Sequence, residues 1–346
     1  MATRARSANM QDVPNTGVLT GKPIAHGGDL GAVRRCHPDA PRPWIDLSTG
    51  INPVPYPVIE PPADAWSRLP SHDAEQALIA AAAQRYRCPP GQLVAAPGTQ
   101  ALIQVLPRLV PRSRIAIVGP TYAEHEHNWR RHGHDVAVVT SLEAAHADVV
   151  VVVNPDNPTG RLLPTQALRG VTARLLVVDE AFIDLLPGDA SLAGDLPGNA
   201  VVLRSFGKTY GLAGLRLGFA IAHESLAWRL RDELGPWAVS GPALTIGAAA
   251  LADDAWLRAA ATRLADDART LDALLVSAGF TILGGTTLFR LASHPKAPDK
   301  VEDLARHGIH VRAFGHQPTW LRFGLPAGEQ EFRRLSAALQ VPQKVR

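Results

Sequence analysis

Six short apolar runs punctuate the middle of the chain, at residues 115–118, 136–139, 149–153, 175–178, 201–203 and 217–221. Most are continuous rather than alternating, the pattern of strands buried on both faces of a mainly parallel sheet. Helical patterns from about residue 75 onward separate them, which predicts a three-layer α/β/α sandwich. The proline-dense stretch 53–62 reads as an extended loop. Residues 242–278 read as helix, one long or two shorter. Beyond Gly279 the pattern changes to strand-like pieces at 280–283, 287–291 and 320–323, with a helix near 299–307. The expected organisation is an irregular N-terminal arm over 1–45, a large α/β domain over 46–240, and a long helix with a small α+β domain over 241–346. No internal repeat is visible.

Composition narrows the function classes. The 346 residues are 46% hydrophobic and 19% charged, ample for a buried core. The net charge of +3 is small and spread along the chain, which argues against nucleic acid as a partner. Two cysteines, Cys36 and Cys88, and no Cys/His cluster at ligand spacing predict a reduced compartment and no metal. Residues 1–20 carry Arg4 and Arg6 but no apolar stretch of a signal peptide, and no run approaches the roughly 18 apolar residues of a membrane span. A soluble, cytoplasmic protein with no membrane partner is expected.

Three of the apolar runs end in polar residues: 149–153 leads to Asn154 and Asn157, 175–178 to Asp179 and Glu180, and 201–203 to Arg204 and Ser205. Ligands of open parallel sheets bind beyond the carboxyl ends of the strands, so Asn157, Asp179 and Ser205 could share one crevice. Each could equally begin an ordinary turn. Lys208, in Ser205-Phe206-Gly207-Lys208, is one of only five lysines in an arginine-rich chain. Unlike arginine, a lysine can lose its proton on burial and attack a carbonyl. Taken alone, it would more often be a surface residue.

Four blocks in order resemble the class I/II aminotransferase group of fold-type I pyridoxal-phosphate enzymes. They are Pro97-Gly98-Thr99-Gln100, Asn154-Pro155-Asp156-Asn157-Pro158-Thr159-Gly160, Asp179-Glu180-Ala181-Phe182, and Ser205-Phe206-Gly207-Lys208 with Gly214-Leu215-Arg216-Leu217-Gly218. The resemblance implies pyridoxal 5'-phosphate as cofactor, held as a Schiff base on Lys208. It implies that Asp179 pairs with the protonated ring nitrogen and that Asn157 donates to the ring's phenolic oxygen. Gly98 and Thr99 would offer backbone N–H groups to the cofactor phosphate, with Ser205 and Arg216 completing the cup. Tyr122 would stack on the ring, unless it is simply a core aromatic. In Trp320-Leu321-Arg322-Phe323-Gly324, Arg322 matches the arginine that clamps the substrate carboxylate, a salt-bridged structural arginine being the alternative. Arg312 is a second, more solvent-facing candidate.

Two departures are visible. Phe182 stands where relatives often have a tyrosine reaching the phenolic oxygen, and Leu69 of Arg68-Leu69-Pro70 stands where many have a tyrosine reaching the neighbouring subunit's cofactor phosphate. Tyr56 is a candidate stand-in. Other stretches are similar to the threonine-phosphate decarboxylases of cobalamin synthesis: His26-Gly27-Gly28-Asp29, Asp46-Leu47-Ser48-Thr49-Gly50-Ile51-Asn52-Pro53, and Pro120-Thr121-Tyr122-Ala123-Glu124-His125. That resemblance adds His26 and Asn52, with Asn157, as substrate contacts, the His26 segment folding over the substrate. It implies loss of CO2 from L-threonine O-3-phosphate to give (R)-1-amino-2-propanol O-2-phosphate, in a homodimer. Amino transfer of the histidinol-phosphate type uses the same lysine, aspartate and arginines and is the alternative. A non-catalytic regulator on the same fold would need a nucleic-acid-binding module, and no helix-turn-helix pattern is present.

Overall fold

The computed structural model describes residues 26–340, so most of the expected N-terminal arm lies outside the described residues. The strands are β1 (Ile45–Leu47), β2 (Leu93–Ala96), β3 (Arg114–Val118), β4 (Asp135–Val139), β5 (Val149–Val153), β6 (Leu175–Asp179), β7 (Ala200–Ser205), β8 (Gly218–Ala222), β9 (Thr281–Thr286), β10 (Phe289–Ser293), β11 (Ile309–Phe314) and β12 (Gln317–Gly324). Seven of them form one sheet in the order β2-β8-β7-β6-β5-β3-β4. The neighbours from β7 across to β4 are all parallel. β8 runs antiparallel to both β7 and β2.

The continuous apolar runs have a direct physical cause. Successive side chains of a strand point to opposite faces. In β5, Val150 and Val152 enter one core and Val149 and Val151 enter the other, on the far side of the sheet. β7 divides in the same way, Val202 to one side and Val201 and Leu203 to the other. Both faces are covered, so the apolar positions of these two strands do not meet water.

The helical region 242–278 resolves into two helices, Gly241–Ala252 and Asp254–Ser277. The break is chemical: Asp253 caps the second helix, its Oδ1 accepting the Trp256 N–H at 2.8 Å. Ala260, Leu264, Ala268, Leu271 and Leu275 then form one buried stripe facing a second core. That core lies under the second sheet, ordered β1-β11-β12-β10-β9.

β1 is the departure from the expected organisation. Residues 46–47, placed at the start of the large α/β region, form with Ile45 a strand that pairs in parallel with β11 as the edge of the second sheet, Ile45 opposite Ile309. Ile45 and Leu47 alternate with Asp46, and this one-sided apolar face packs with Ile309 and Val311. Within the stretch read as an irregular arm, Leu30–Cys36 is helical and Asp29 caps it through the Gly31 N–H. Among the described residues no helix is long and apolar enough to cross a membrane.

Candidate active site

A cavity of about 310 Å³ opens beyond the carboxyl ends of β5, β6 and β7, between the two sheets. It is lined by Asn157, Asp179, Ser205, Lys208 and Arg216, which sequence spacing alone scatters over 60 residues, together with Gly98, Thr99, Tyr122, Arg312, Arg322 and His26. Of the predicted site residues, Asn52 stays outside the lining, as does the candidate stand-in Tyr56.

Lys208 follows β7 on the short helix Phe206–Thr209. Among the described residues it takes part in no ion pair, and its Nζ lies 5.1 Å from the centre of the Phe182 ring. Burial lowers its pKa; Asp179 opposes that effect, while Arg322 and Arg216 add to it. The aromatic ring standing in place of a tyrosine therefore forms an apolar wall against a lysine biased towards its neutral, nucleophilic form.

Asp179 ends β6 and is 3% exposed. Its Oδ1 accepts the Ala181 N–H at 3.0 Å, and its Oδ2 lies 3.0 Å from His125 Nε2, itself 1% exposed. A carboxylate can only accept, so His125 Nε2 carries the hydrogen in this contact. His125 was visible in the sequence only as part of a motif. It sits on helix Ala123–Arg131, otherwise so rich in charge that it reads as a solvated face, yet Glu124, His125, Asn128 and Trp129 are all buried.

The anion-binding corner depends on glycine. Gly98 caps helix Thr99–Val105 at φ +82, and a Cβ built there would lie 2.6 Å from Arg216 Nη2. That φ favours glycine, and the missing side chain lets the guanidinium rest directly on this backbone. A Cβ on Gly218 would lie 2.6 Å from the Thr99 nitrogen, so the start of β8 is likewise pressed against the helix start. Arg216 itself holds a left-handed φ of 54, a conformation that costs a side-chain-bearing residue about 1–2 kcal/mol. The Gly98 N–H is taken by Ala96 O at 2.7 Å. An anion in this corner therefore meets the first-turn amides from Thr99 onward rather than that of Gly98.

Arg322, on β12, is 8% exposed. Its Nη1 donates to Asn157 Oδ1, its Nη2 donates to Ser48 O at 2.7 Å, and its guanidinium carbon rests 5.2 Å from the Phe289 ring centre. Burial lowers its pKa to about 10, helped by Arg312. Among the described residues its Nε is buried without a hydrogen-bond partner. Turning the Asn157 carbonyl to Arg322 leaves the Asn157 amino group as the free donor. Arg312 stands opposite Arg322 in the β11–β12 register and is half-buried rather than solvent-facing, its pKa lowered by burial. The alternation of Ile309 and Val311 with His310 and Arg312 in β11 is a period-2 signal that could have placed Arg312 on the cavity side.

The His26 end of the cavity is tied by hydrogen bonds. Glu124 accepts from His26 Nε2 at 2.9 Å, Gln100 Nε2 at 2.6 Å and Asn128 Nδ2 at 3.0 Å. These bonds, His26 foremost, hold its carboxyl at about 2. Tyr122 donates to Gln100 Oε1 at 3.3 Å, and its own pKa is raised, chiefly by burial.

Two expectations fall elsewhere in the fold. Asn52 braces the chain behind Lys208: its Nδ2 donates to Thr209 O at 2.9 Å and its Oδ1 accepts from Arg263 at 2.9 Å. Its side chain is spent on positioning the lysine helix. Tyr56 packs edge-on against Tyr210 and Trp256 with its hydroxyl 3.5 Å from Asp253 Oδ2.

The donor set fits the cofactor that the resemblance implies. One buried lysine, one oriented carboxylate, an aromatic ring at Tyr122, and a corner joining an arginine, a serine and helix amides match the aldehyde, ring nitrogen, ring face and phosphate of pyridoxal phosphate in turn.

The family described as aminotransferase class I and II matches residues 62–338. A threonine-phosphate decarboxylase of Sinorhizobium sp. is 45% identical over 92% of this chain and 98% of its own length. A threonine-phosphate decarboxylase of Pseudomonas aeruginosa is 40% identical over 91% of this chain and 97% of its own. Histidinol-phosphate aminotransferase 3 of Mesorhizobium japonicum is 27% identical over 88% of this chain and 90% of its own. Among solved structures, histidinol-phosphate aminotransferase from Sinorhizobium meliloti, in complex with pyridoxal-5'-phosphate, superimposes with a TM-score of 0.72 at 22% identity, covering 92% of this chain and 94% of that one. L-threonine-O-3-phosphate decarboxylase from Porphyromonas gingivalis gives 0.71 at 21%, covering 86% and 98%.

Proposed function

This chain belongs to the aminotransferase class I and II family, and from that premise we propose that it is a pyridoxal-phosphate-dependent decarboxylase of L-threonine O-3-phosphate. The product would be (R)-1-amino-2-propanol O-2-phosphate, a building block of cobalamin. The observation that carries the reading is the charge of the cavity. Lys208, Arg216, Arg312 and Arg322 line it, with His26 and His316, while Asp179 is the one carboxylate among the lining residues. The cofactor phosphate accounts for Arg216. A substrate with two anionic ends, carboxylate and phosphate, accounts for both Arg322 and Arg312. The two relatives at 45% and 40% identity bear the same name.

In this reading Lys208 anchors the cofactor, Asp179 keeps its ring nitrogen protonated, and Asn157 and Tyr122 hold the ring. Thr99 N–H, Ser205 and Arg216 hold its phosphate. When bound, the cofactor supplies an electron-poor ring that draws in the electrons of the bond broken at the substrate Cα. Arg322, fixed by Asn157 and Ser48, orients the substrate carboxylate, and Arg312 with His26 takes the substrate phosphate. Holding both ends fixes which Cα bond is exposed to cleavage. The carboxylate leaves as CO2, and Lys208 Nζ, having taken a proton from the incoming substrate ammonium, passes it to the carbon left behind. Burial, with Arg322 and Arg216 nearby, keeps that amine readily deprotonated for the next cycle.

A homodimer accords with the exposed apolar side chains Val54, Val58, Ile59, Trp66 and Leu69, all within one stretch of 16 residues.

Incubating the purified protein with L-threonine O-3-phosphate and pyridoxal phosphate should release CO2 stoichiometrically with an amino-propanol phosphate. Amino transfer to 2-oxoglutarate with no CO2 would overturn this reading in favour of an aminotransferase.

A further inference from the structure

Residues 26–28 cross the cavity mouth from one wall to the other. On the second-sheet side, the Gly28 N–H donates to Ser48 Oγ at 2.8 Å, and Ser48 in turn is held by Asp46 through both its hydroxyl, at 2.6 Å, and its N–H, at 2.9 Å. Gly27 lies so close that a Cβ there would sit 2.4 Å from Ser48 O. On the large-sheet side, His26 reaches Glu124. The Glu124 carboxylate is 11% exposed and takes donors from three separate pieces of chain: His26, Gln100 on helix Thr99–Val105, and Asn128 one turn along its own helix.

The chemistry of this cluster leaves little freedom. A carboxylate only accepts, so it must take the amino end of the Gln100 amide. The Gln100 carbonyl is then turned to Tyr122, whose hydroxyl must donate. The His26 ring also lies 6.1 Å from the Tyr122 ring, centre to centre. One carboxylate thus holds the hydrogen of His26 Nε2, leaving Nδ1 to face away from it, and fixes the flip of Gln100 and the hydroxyl direction of Tyr122. None of the catalytic roles above uses Glu124.

We propose that Glu124 is a positioning residue that binds His26 and Tyr122 into one frame, so that the strap over substrate and the ring over cofactor are set together. The proposal rests on the reading of His26 as a contact of the substrate phosphate. Glutamine at 124 would keep the shape, but its one oxygen must serve Gln100 and Asn128, so its amino group faces His26, which reverses that bond and removes the charge that assists it.

The test is a double-mutant cycle with Glu124→Gln and His26→Ala on the holoenzyme, read in two ways. In kinetics with L-threonine O-3-phosphate, each single change should raise KM by about tenfold, the scale of one charge-assisted hydrogen bond, with a smaller effect on kcat. The double variant should be no worse than the weaker single variant by more than about twofold, because both remove the same contact. In hydrogen exchange, amides 27–31 should exchange faster in both single variants, while β5 and β6 stay protected. The His26 side chain is 47% exposed, so His26→Ala tests the strap even where Glu124→Gln folds poorly. Fully multiplicative KM effects, or unchanged exchange at 27–31 in His26→Ala, would overturn the proposal. If the wild-type protein released no CO2, the function would be wrong, and the exchange measurement would still decide whether the strap exists.

Discussion

His125 and Asp179, 54 positions apart in sequence, meet at 3.0 Å in a site where both side chains are 4% exposed or less. The histidine leaves Asp179 no freedom to turn, because its other oxygen is already fixed by the Ala181 N–H. Replacing His125 with Ala therefore leaves a buried carboxylate one donor short. Loss of a buried hydrogen bond to a charged group costs about 1.5–3 kcal/mol, which predicts a fall in kcat/KM of roughly 10- to 150-fold. Steady-state kinetics with saturating cofactor would show it, and an unchanged kcat/KM would remove His125 from the site's working parts.

Lys208→Ala should abolish the visible absorbance that pyridoxal phosphate acquires on covalent attachment, while Arg216 and the helix amides still retain cofactor by its phosphate. Turnover should fall by at least about 10³-fold, since anchor and proton donor are lost together. Dialysed protein that keeps the visible band after this substitution would place the covalent link on another residue.

Arg322→Lys keeps the charge but loses the planar fork that reaches Asn157 and Ser48 at once. KM for the amino-acid substrate should rise by roughly 10²-fold. Arg312→Met should discriminate differently, raising KM for threonine phosphate far more than for unphosphorylated threonine. Equal effects on both substrates would show that Arg312 does not face the phosphate.

Gly98→Ala places a Cβ against the Arg216 guanidinium at a φ of +82. The side chain disfavours the backbone by about 1–2 kcal/mol and displaces the arginine besides. Cofactor affinity should fall by roughly tenfold or more, measurable by fluorescence titration of the apoenzyme. Normal pyridoxal phosphate binding by the Gly98→Ala variant would show that Arg216 has room to move.

Glu124 predicts an acid transition. Its carboxyl sits at about 2 in the folded protein against 4.5 for a free side chain, held there first by His26. A depressed carboxyl contributes stability that is fully present above about pH 4.5 and is lost as pH falls towards 2. The contribution is on the order of 3 kcal/mol at most. Subtracting the unfolding free energy of Glu124→Gln from that of the wild type at each pH should isolate a difference that shrinks across this window. A constant difference would mean that the carboxylate is not selectively favoured in the fold.

Much of the architecture was legible from the chain. The runs of valine and leucine in β5, β6 and β7 could be read as doubly buried strands because burial on both faces removes polar positions altogether. Their carboxyl ends could be read as a ligand crevice, and four motif blocks named its cofactor. Short or mixed strands were not legible: β2 is only four residues, two of them alanine, and β1 acquires its identity by pairing with β11, which lies 264 positions away in the Ile45–Ile309 register.

What the tertiary structure decided is which polar residues are working parts and which are braces. Asn52 carries as strong a motif as Asn157, yet its amide is consumed holding Thr209 and Arg263 while Asn157 faces Arg322. His125 and Glu124 lie on a helix whose charge reads as solvated, yet they are buried because the helix turns that face towards Asp179, Gln100 and His26. Strand burial is written in local periodicity, since each residue's side is set by its neighbours along the chain. The partner of a polar side chain is set by long-range packing, and local sequence carries no record of it.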